Sequence, residues 1–142
     1  MIDEIDELII EGLRENARIS ITELSKQIRL SAPSVTERIK KLEDRGVIEG
    51  YTVKINHKKL GKHITAYILF DTHRCQQFVQ FCQSYTDVTE CHRLAGQYSY
   101  LVKIVTEDIT TLESFIDKAM YYGKSSTLIV LSSPITHRET IR

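Results

Sequence analysis

The stretch from Ile19 to Gly50 constrains the fold more than any other part of the chain. Ser20 stands before an apolar stripe of Ile21, Leu24 and Ile28, and Glu23 follows three residues later, the pattern of a capping box at a helix start. Arg29 and Leu30 make a tight turn. Ser31 then caps a second helix, with Pro33 in its first turn, where a missing N–H costs nothing. Val35, Ile39 and Leu42 face a core. The helical repeat places Pro33, Thr36, Glu37, Lys40 and Lys41 on the opposite side, flanked by Ser34 and Arg38. Gly46 is expected to end this helix in a left-handed conformation. Val47-Ile48 and Tyr51–Ile55 read as a short hairpin around Glu49-Gly50.

A helix from Asp3 to Asn16 precedes this pair, with a stripe of Ile5, Leu8, Ile9 and Leu13 and an acidic first turn that suits the helix dipole. Two short capped helices joined by a tight turn, after a first helix and before a hairpin, spell a winged helix-turn-helix. Double-stranded DNA is the partner such a unit addresses. The chain is neutral overall, but its charge is divided. Residues 1–17 carry one basic and six acidic side chains, residues 18–62 eleven and five, and residues 63–142 seven and eight. The positive charge therefore lies on the two-helix motif and the segment after it, the electrostatic footprint of phosphate contact. Ser31, Pro33, Ser34, Thr36, Glu37, Arg38, Lys40 and Lys41 are the expected DNA-binding set. The hydroxyls suit phosphate or base edges, the cations suit phosphates or a guanine edge, and Glu37 suits cytosine or the orientation of a neighbouring cation. Lys54, Lys58, Lys59 and Lys62 read equally as wing contacts or as a soluble linker.

Asn56 to Gly61 is polar and basic, and residues 56–62 are read as a hinge between residues 1–55 and 63–142. Beyond it the periodicity changes. Strands are expected at Ile64–Phe70, Val88–Leu94, Tyr98–Val105 and Thr127–Ser132, with a turn at Gly96-Gln97. Helices are expected at Cys75–Ser84 and Ile109–Met120, the latter with Ile109, Leu112, Phe115, Ile116 and Ala119 on one face. The order β-α-β-β-α-β is a ferredoxin-like sandwich, and the whole chain is α+β.

Several function classes find no support. No apolar run approaches the roughly 18 residues of a membrane span, and the acidic start lacks the basic region of a secretory signal. Cys75, Cys82 and Cys91 lack CxxC spacing and suit reduced, gap-filling roles. The five histidines show no metal-ligand spacing, and Cys91 and His92 point to opposite faces of a strand. Neither a phosphate loop nor a catalytic triad is legible. The chain is read as a non-enzyme with no metal or cofactor, in the cytoplasm and associated with the nucleoid.

The chain resembles the Lrp/AsnC family of transcription regulators over nearly its full length. The resemblance runs through Asp6-x-x-Ile9-Ile10-x-x-Leu13, Asn16-Ala17-Arg18, Glu23-Leu24, Leu30-Ser31, Val35, Arg38-Ile39, Leu42-Glu43, Gly46-Val47-Ile48 and Leu60-Gly61, and ends at Gly96-x-Tyr98-x-Tyr100. It implies a homodimer formed through the second domain, assembling to a tetramer or octamer, with an amino-acid effector between dimers. The implied effector-binding residues are Gly96, Gln97, Tyr98, Ser99, Ser125 and Thr127. Two positions depart from the family pattern. Ser99 stands where members often carry an Asp that pairs with the effector's amino group, and Arg29 stands where the turn commonly carries Gly. An effector-independent protein that wraps DNA is the alternative reading, and a tetrapyrrole enzyme subunit, the work of one unusual branch, is a distant one.

Overall fold

The computed structural model describes residues 1–141. It divides into two compact units, one formed by Met1–Lys54 with the segment from Ile135 onward, the other by Ile55–Pro134.

The first unit holds three helices, α1 (Glu4–Glu15), α2 (Ile21–Ile28) and α3 (Ala32–Asp44). Each start is capped by the side chain before it. Asp3 and Asp6 form a complete reciprocal capping box on α1. Ser20 accepts the amide of Glu23, making only the serine half of the expected box. Ser31 accepts the amide of Ser34. Each cap satisfies an amide that has no partner within its helix, worth about 1 kcal/mol. Ile9, Leu24, Val35 and Leu42 are fully buried where the helices meet, with Ile5, Leu13, Ile28 and Ile39 packed around them. Gly12 lets α1 and α2 approach closely, since a Cβ there would lie 2.7 Å from Leu24 Cδ1.

The expected hairpin at 47–55 does not form. Among the described residues this segment contains no strand. Val47 and Ile48 direct their amides to the Leu42 carbonyl, terminating α3, and so are not available for a ladder. Beyond them Tyr51, Val53 and Ile55 are exposed, so no apolar face is buried to hold a two-stranded ribbon, which is marginal on its own. Tyr51 instead bonds Glu43 Oε1 at 2.8 Å, and burial together with that carboxylate pushes its hydroxyl pKa up to about 12.

In the second unit, Asn56 caps a 3₁₀ turn at His57–Leu60, closed by Gly61. The sequence expected to be a hinge is therefore a capped turn belonging to this unit. A four-stranded antiparallel sheet follows, β1 (Ile64–Asp71), β2 (Val88–Arg93), β3 (Tyr100–Thr106) and β4 (Lys124–Ile129), in the order β2-β3-β1-β4. Helices α4 (Cys75–Ser84) and α5 (Ile109–Ala119) cover one face. There Ala66, Ile68 and Phe70 of β1 and Tyr100, Val102 and Ile104 of β3 pack against Phe78, Cys82, Leu112 and Phe115. Full burial of each large side chain stabilises the unit by about 1.5–3 kcal/mol.

Several expectations move. Strand β3 runs from Tyr100 to Thr106 and leaves Tyr98 and Ser99 before it, and β4 ends at Ile129 and not at Ser132. Strand β4 begins three residues earlier than the apolar pattern suggests, because Lys124–Ser126 pair with Asp71–Leu69 of β1 despite their polarity. Ile109 opens α5 on its exposed side and takes no part in the core. Gly123, between α5 and β4, is dictated by a close approach. A Cβ there would lie 2.2 Å from the Asp71 carbonyl oxygen.

Candidate nucleic-acid interface and effector region

Helix α3 presents the sequence-expected DNA set in two groups. Pro33, Thr36, Glu37, Lys40 and Lys41 are exposed on the outer face. Lys41 pairs with Glu37 at 2.9 Å one turn away, which lowers the glutamate pKa. Lys40 has no ion-pair or hydrogen-bond partner among the described residues. At the N-terminal end Ser31 Oγ donates to Ser34 Oγ at 2.7 Å, and Thr36 Oγ1 donates back to the Ala32 carbonyl at 3.0 Å. The amide end of α3 adds a positive dipole suited to phosphate.

Arg38 belongs to neither the outer face nor the core. Its Nη1 reaches Asp3 Oδ1 and Oδ2 at 2.9 and 2.8 Å and Asp6 Oδ1 at 2.8 Å. The Asp6 amide and then Arg38 hold the Asp3 carboxyl below the usual carboxylate range, and the two carboxylates raise the guanidinium pKa. Such a pairing across more than thirty residues leaves no signal in one sequence.

In the turn, Arg29 takes φ 56° and ψ 45°, the only described non-glycine residue at positive φ. Its amide and that of Leu30 both go to the Ser25 carbonyl. This left-handed geometry is one that glycine adopts without steric cost.

Lys62 is placed away from both readings given to it. It binds Asp87 Oδ1 at 2.6 Å, while Thr106 donates to Asp87 Oδ2 at 2.7 Å and also lies 2.6 Å from Thr111 Oγ1. Burial pushes the Asp87 pKa up, but the bonds from Lys62 and Thr106 outweigh it and leave the carboxyl lowered. Lys54, Lys58 and Lys59 are exposed.

At one end of the sheet, the effector residues implied by resemblance come partly together. Gly96 sits in the β2–β3 turn at φ 137°, with Gln97 exposed and Tyr98 half-buried. Ser99 sends its amide to the Phe70 carbonyl at 2.7 Å, while Ser125 pairs with Phe70 from the other side. Ser99 and Ser125 thus flank the end of β1. Thr127 lies deeper, opposite Ile68. The Ser99 hydroxyl is already engaged, accepting the Thr72 amide and donating to the Thr72 carbonyl, both at 3.3 Å.

A concavity lies elsewhere on this unit. A shallow groove of about 570 Å³ runs between α4 and β2, over Val79, Cys82, Cys91, Arg93 and Tyr100, and none of the six expected effector residues lines it. Burial pushes the Cys82 thiol up to about 12 and also raises that of Cys91, so neither is a ready nucleophile. No group of three or more metal-ligating side chains occurs among the described residues. Among the described residues no helix is long and apolar enough to cross a membrane.

A capped helix-turn-helix unit with an outward basic row, carried with a βαββαβ unit, defines a DNA-binding transcription regulator with a separate regulatory domain. The family profile described as winged helix-turn-helix DNA-binding matches residues 2–49, and that of the Lrp/AsnC ligand binding domain matches residues 65–140. The chain belongs to the Lrp/AsnC family of transcriptional regulators. It is 48% identical over 135 residues to the HTH-type transcriptional regulator YezC of Bacillus subtilis, covering 95% of this chain and 97% of that protein. It is 35% identical to LrpC of the same organism, covering 92% of each. The solved structure of B. subtilis LrpC superposes with a TM-score of 0.91 over 96% of this chain and 99% of that one. The fold also matches a transcriptional regulator from Neisseria meningitidis solved with L-methionine, at 22% identity and TM-score 0.90, covering 96% of this chain and 94% of that one.

Proposed function

We propose that this regulator binds specific DNA sites as a dimer or higher assembly and changes its binding with an amino-acid effector. The observation that carries the reading is the outer row of α3, where Thr36, Lys40 and Lys41 stand exposed beside a serine-capped helix start. One short helix reads few base pairs. Two heads in symmetric array enter successive major grooves about one helical turn apart and multiply their affinities.

The face of the sheet opposite α4 and α5 supports pairing with a second copy. Tyr67 and Leu69 of β1, Leu101 of β3 and Leu128 of β4 occupy that face by register, and Leu128 is 55% exposed. Lys103 lies over the Tyr67 ring and pairs with Glu90, placing a charged rim beside the apolar rows. An effector site between dimers is consistent with Gly96–Ser99 and Ser125 converging without forming a closed pocket in one chain. Serine at 99 leaves the ammonium of an amino acid without a carboxylate at that position, which favours a ligand read chiefly through its carboxylate and side chain.

Footprinting of the purified protein with and without each amino acid tests these points together. The expected result is protection in blocks one helical turn apart, altered by at least one amino acid. Protection unchanged by any amino acid favours the DNA-wrapping alternative. No protection at any concentration overturns the reading.

A further inference from the structure

We infer that Arg38 is a positioning residue, which locks the reading helix to the first helix through Asp3 and Asp6 and does not contact DNA. The inference rests on the proposed reading role of α3 and deepens it. Each carboxylate also accepts a backbone amide of the other residue. Asp3 Oδ1 accepts the Asp6 amide at 2.9 Å, and Asp6 Oδ2 accepts the Asp3 amide at 3.1 Å. The capping box therefore presents two like charges side by side, an arrangement that calls for a cation between them. Arg38 supplies it with three short contacts. The Asp6 side chain is only 12% exposed there and that of Arg38 30%.

A second contact on the same edge of α3 points the same way. Arg45, seven residues further on and so on the same helical face, donates through Nη1 and Nη2 to the Met1 carbonyl at 3.1 and 3.2 Å. Arg38 and Arg45 together make a seam that holds Met1–Asp6 along one side of α3. That seam fixes the rotation of α3 about its own axis and so aims Thr36, Lys40 and Lys41. A recognition element works only when held within roughly 0.5 Å and 10–20° of its productive geometry. Two carboxylates share Nη1 of the guanidinium, and their combined charge outweighs its own towards a phosphate.

The test is a salt series of DNA-binding titrations with the full chain on a long mixed-sequence duplex. Arg38→Gln, Asp6→Asn, Arg38→Lys and Lys40→Ala are compared with the unaltered protein. A phosphate contact contributes about 0.9 to the log–log salt slope, so Lys40→Ala is expected to lower the slope by about that amount. Arg38→Gln and Asp6→Asn are both expected to weaken binding severalfold with the slope unchanged. Arg38→Lys does not restore binding, because the lysine side chain is one bond shorter and its ammonium falls short of the place Nη1 holds between the two carboxylates.

The opposite pattern overturns the inference. If Arg38 touches phosphate, Asp6→Asn frees it and tightens binding, Arg38→Gln lowers the slope, and Arg38→Lys restores it. Absence of salt-sensitive binding by the unaltered protein refutes the DNA reading instead. The clamp is then judged by hydrogen exchange in Arg38→Gln, where the Asp6 and Glu7 amides must lose protection; unchanged protection sinks it.

Discussion

Arg29 offers a test in which stability and function move in opposite directions. Its φ of 56° places an L side chain in the left-handed region at the end of α2. That conformation costs a non-glycine residue roughly 1–2 kcal/mol. Glycine removes the cost but brings roughly 0.5–1 kcal/mol of extra freedom to the unfolded chain. The net expectation for Arg29→Gly is a gain of about 0.5–1 kcal/mol in the first unit, or about 2–8 °C for a unit of this size. The side chain is exposed, so no packing is lost. Hydrogen exchange on the full chain is the assay of choice, because the sheet amides of the second unit serve as an internal reference. Protection should rise for Leu24 and Val35 and stay constant for Ile68 and Val102. Arg29→Ala, which keeps the strained φ without the cation, should leave stability nearly unchanged. Should the arginine offset its strain by touching phosphate, both variants will lower the salt slope of DNA binding by about 0.9. Destabilisation by Arg29→Gly would refute the strain argument, and an unchanged slope in both variants would refute the phosphate contact.

Three further outcomes follow from the geometry. Gly123→Ala drives a methyl group into the Asp71 carbonyl, and should cost about 1–3 kcal/mol by urea unfolding of the second unit. The Asp3 carboxyl, lowered by the Asp6 amide and Arg38, contributes stability above its ordinary pKa that is lost as pH falls through the lowered one. Acid titration of first-unit exchange should therefore show a loss below about pH 4 that Asp3→Asn flattens, and an unaltered titration would dismiss the clamp's electrostatic part. Ser99→Asp replaces a hydroxyl that donates to the Thr72 carbonyl with a carboxylate that cannot. Its melting temperature should fall, and amino acids at millimolar concentration should recover part of the loss; no recovery would argue against an ammonium site at this position.

The parts of the fold that local chemistry controls were legible in the chain. Ser20 and Ser31 cap the helices they precede, and α4 spans Cys75–Ser84 as its apolar spacing implies. The misplaced parts depend on partners distant in sequence. Strand β4 begins on polar residues because β1 supplies the ladder they complete, which hydropathy does not register. Val47-Ile48 and Tyr51–Ile55 read as a hairpin, but a ribbon needs a buried face, and Val53 is 75% exposed. Within the site, the outer row of α3 came directly from helical periodicity. The diversion of Arg38 to Asp3 and Asp6, and of Lys62 to Asp87, did not, since both partners are reached only through the tertiary fold.

The strand order also sets a sequence of events during synthesis. The contacts of α1, α2 and α3 are local, and helical units of this kind fold quickly. Strand β1, by contrast, is central and pairs with β4, so its sheet stays incomplete until residues 124–129 have been made. Domains fold as units in order of emergence. The three helices of a newborn chain can thus pack together before the sheet of the second unit is complete. On the pairing proposed through that sheet, a lone head in that interval would make few contacts and bind DNA weakly.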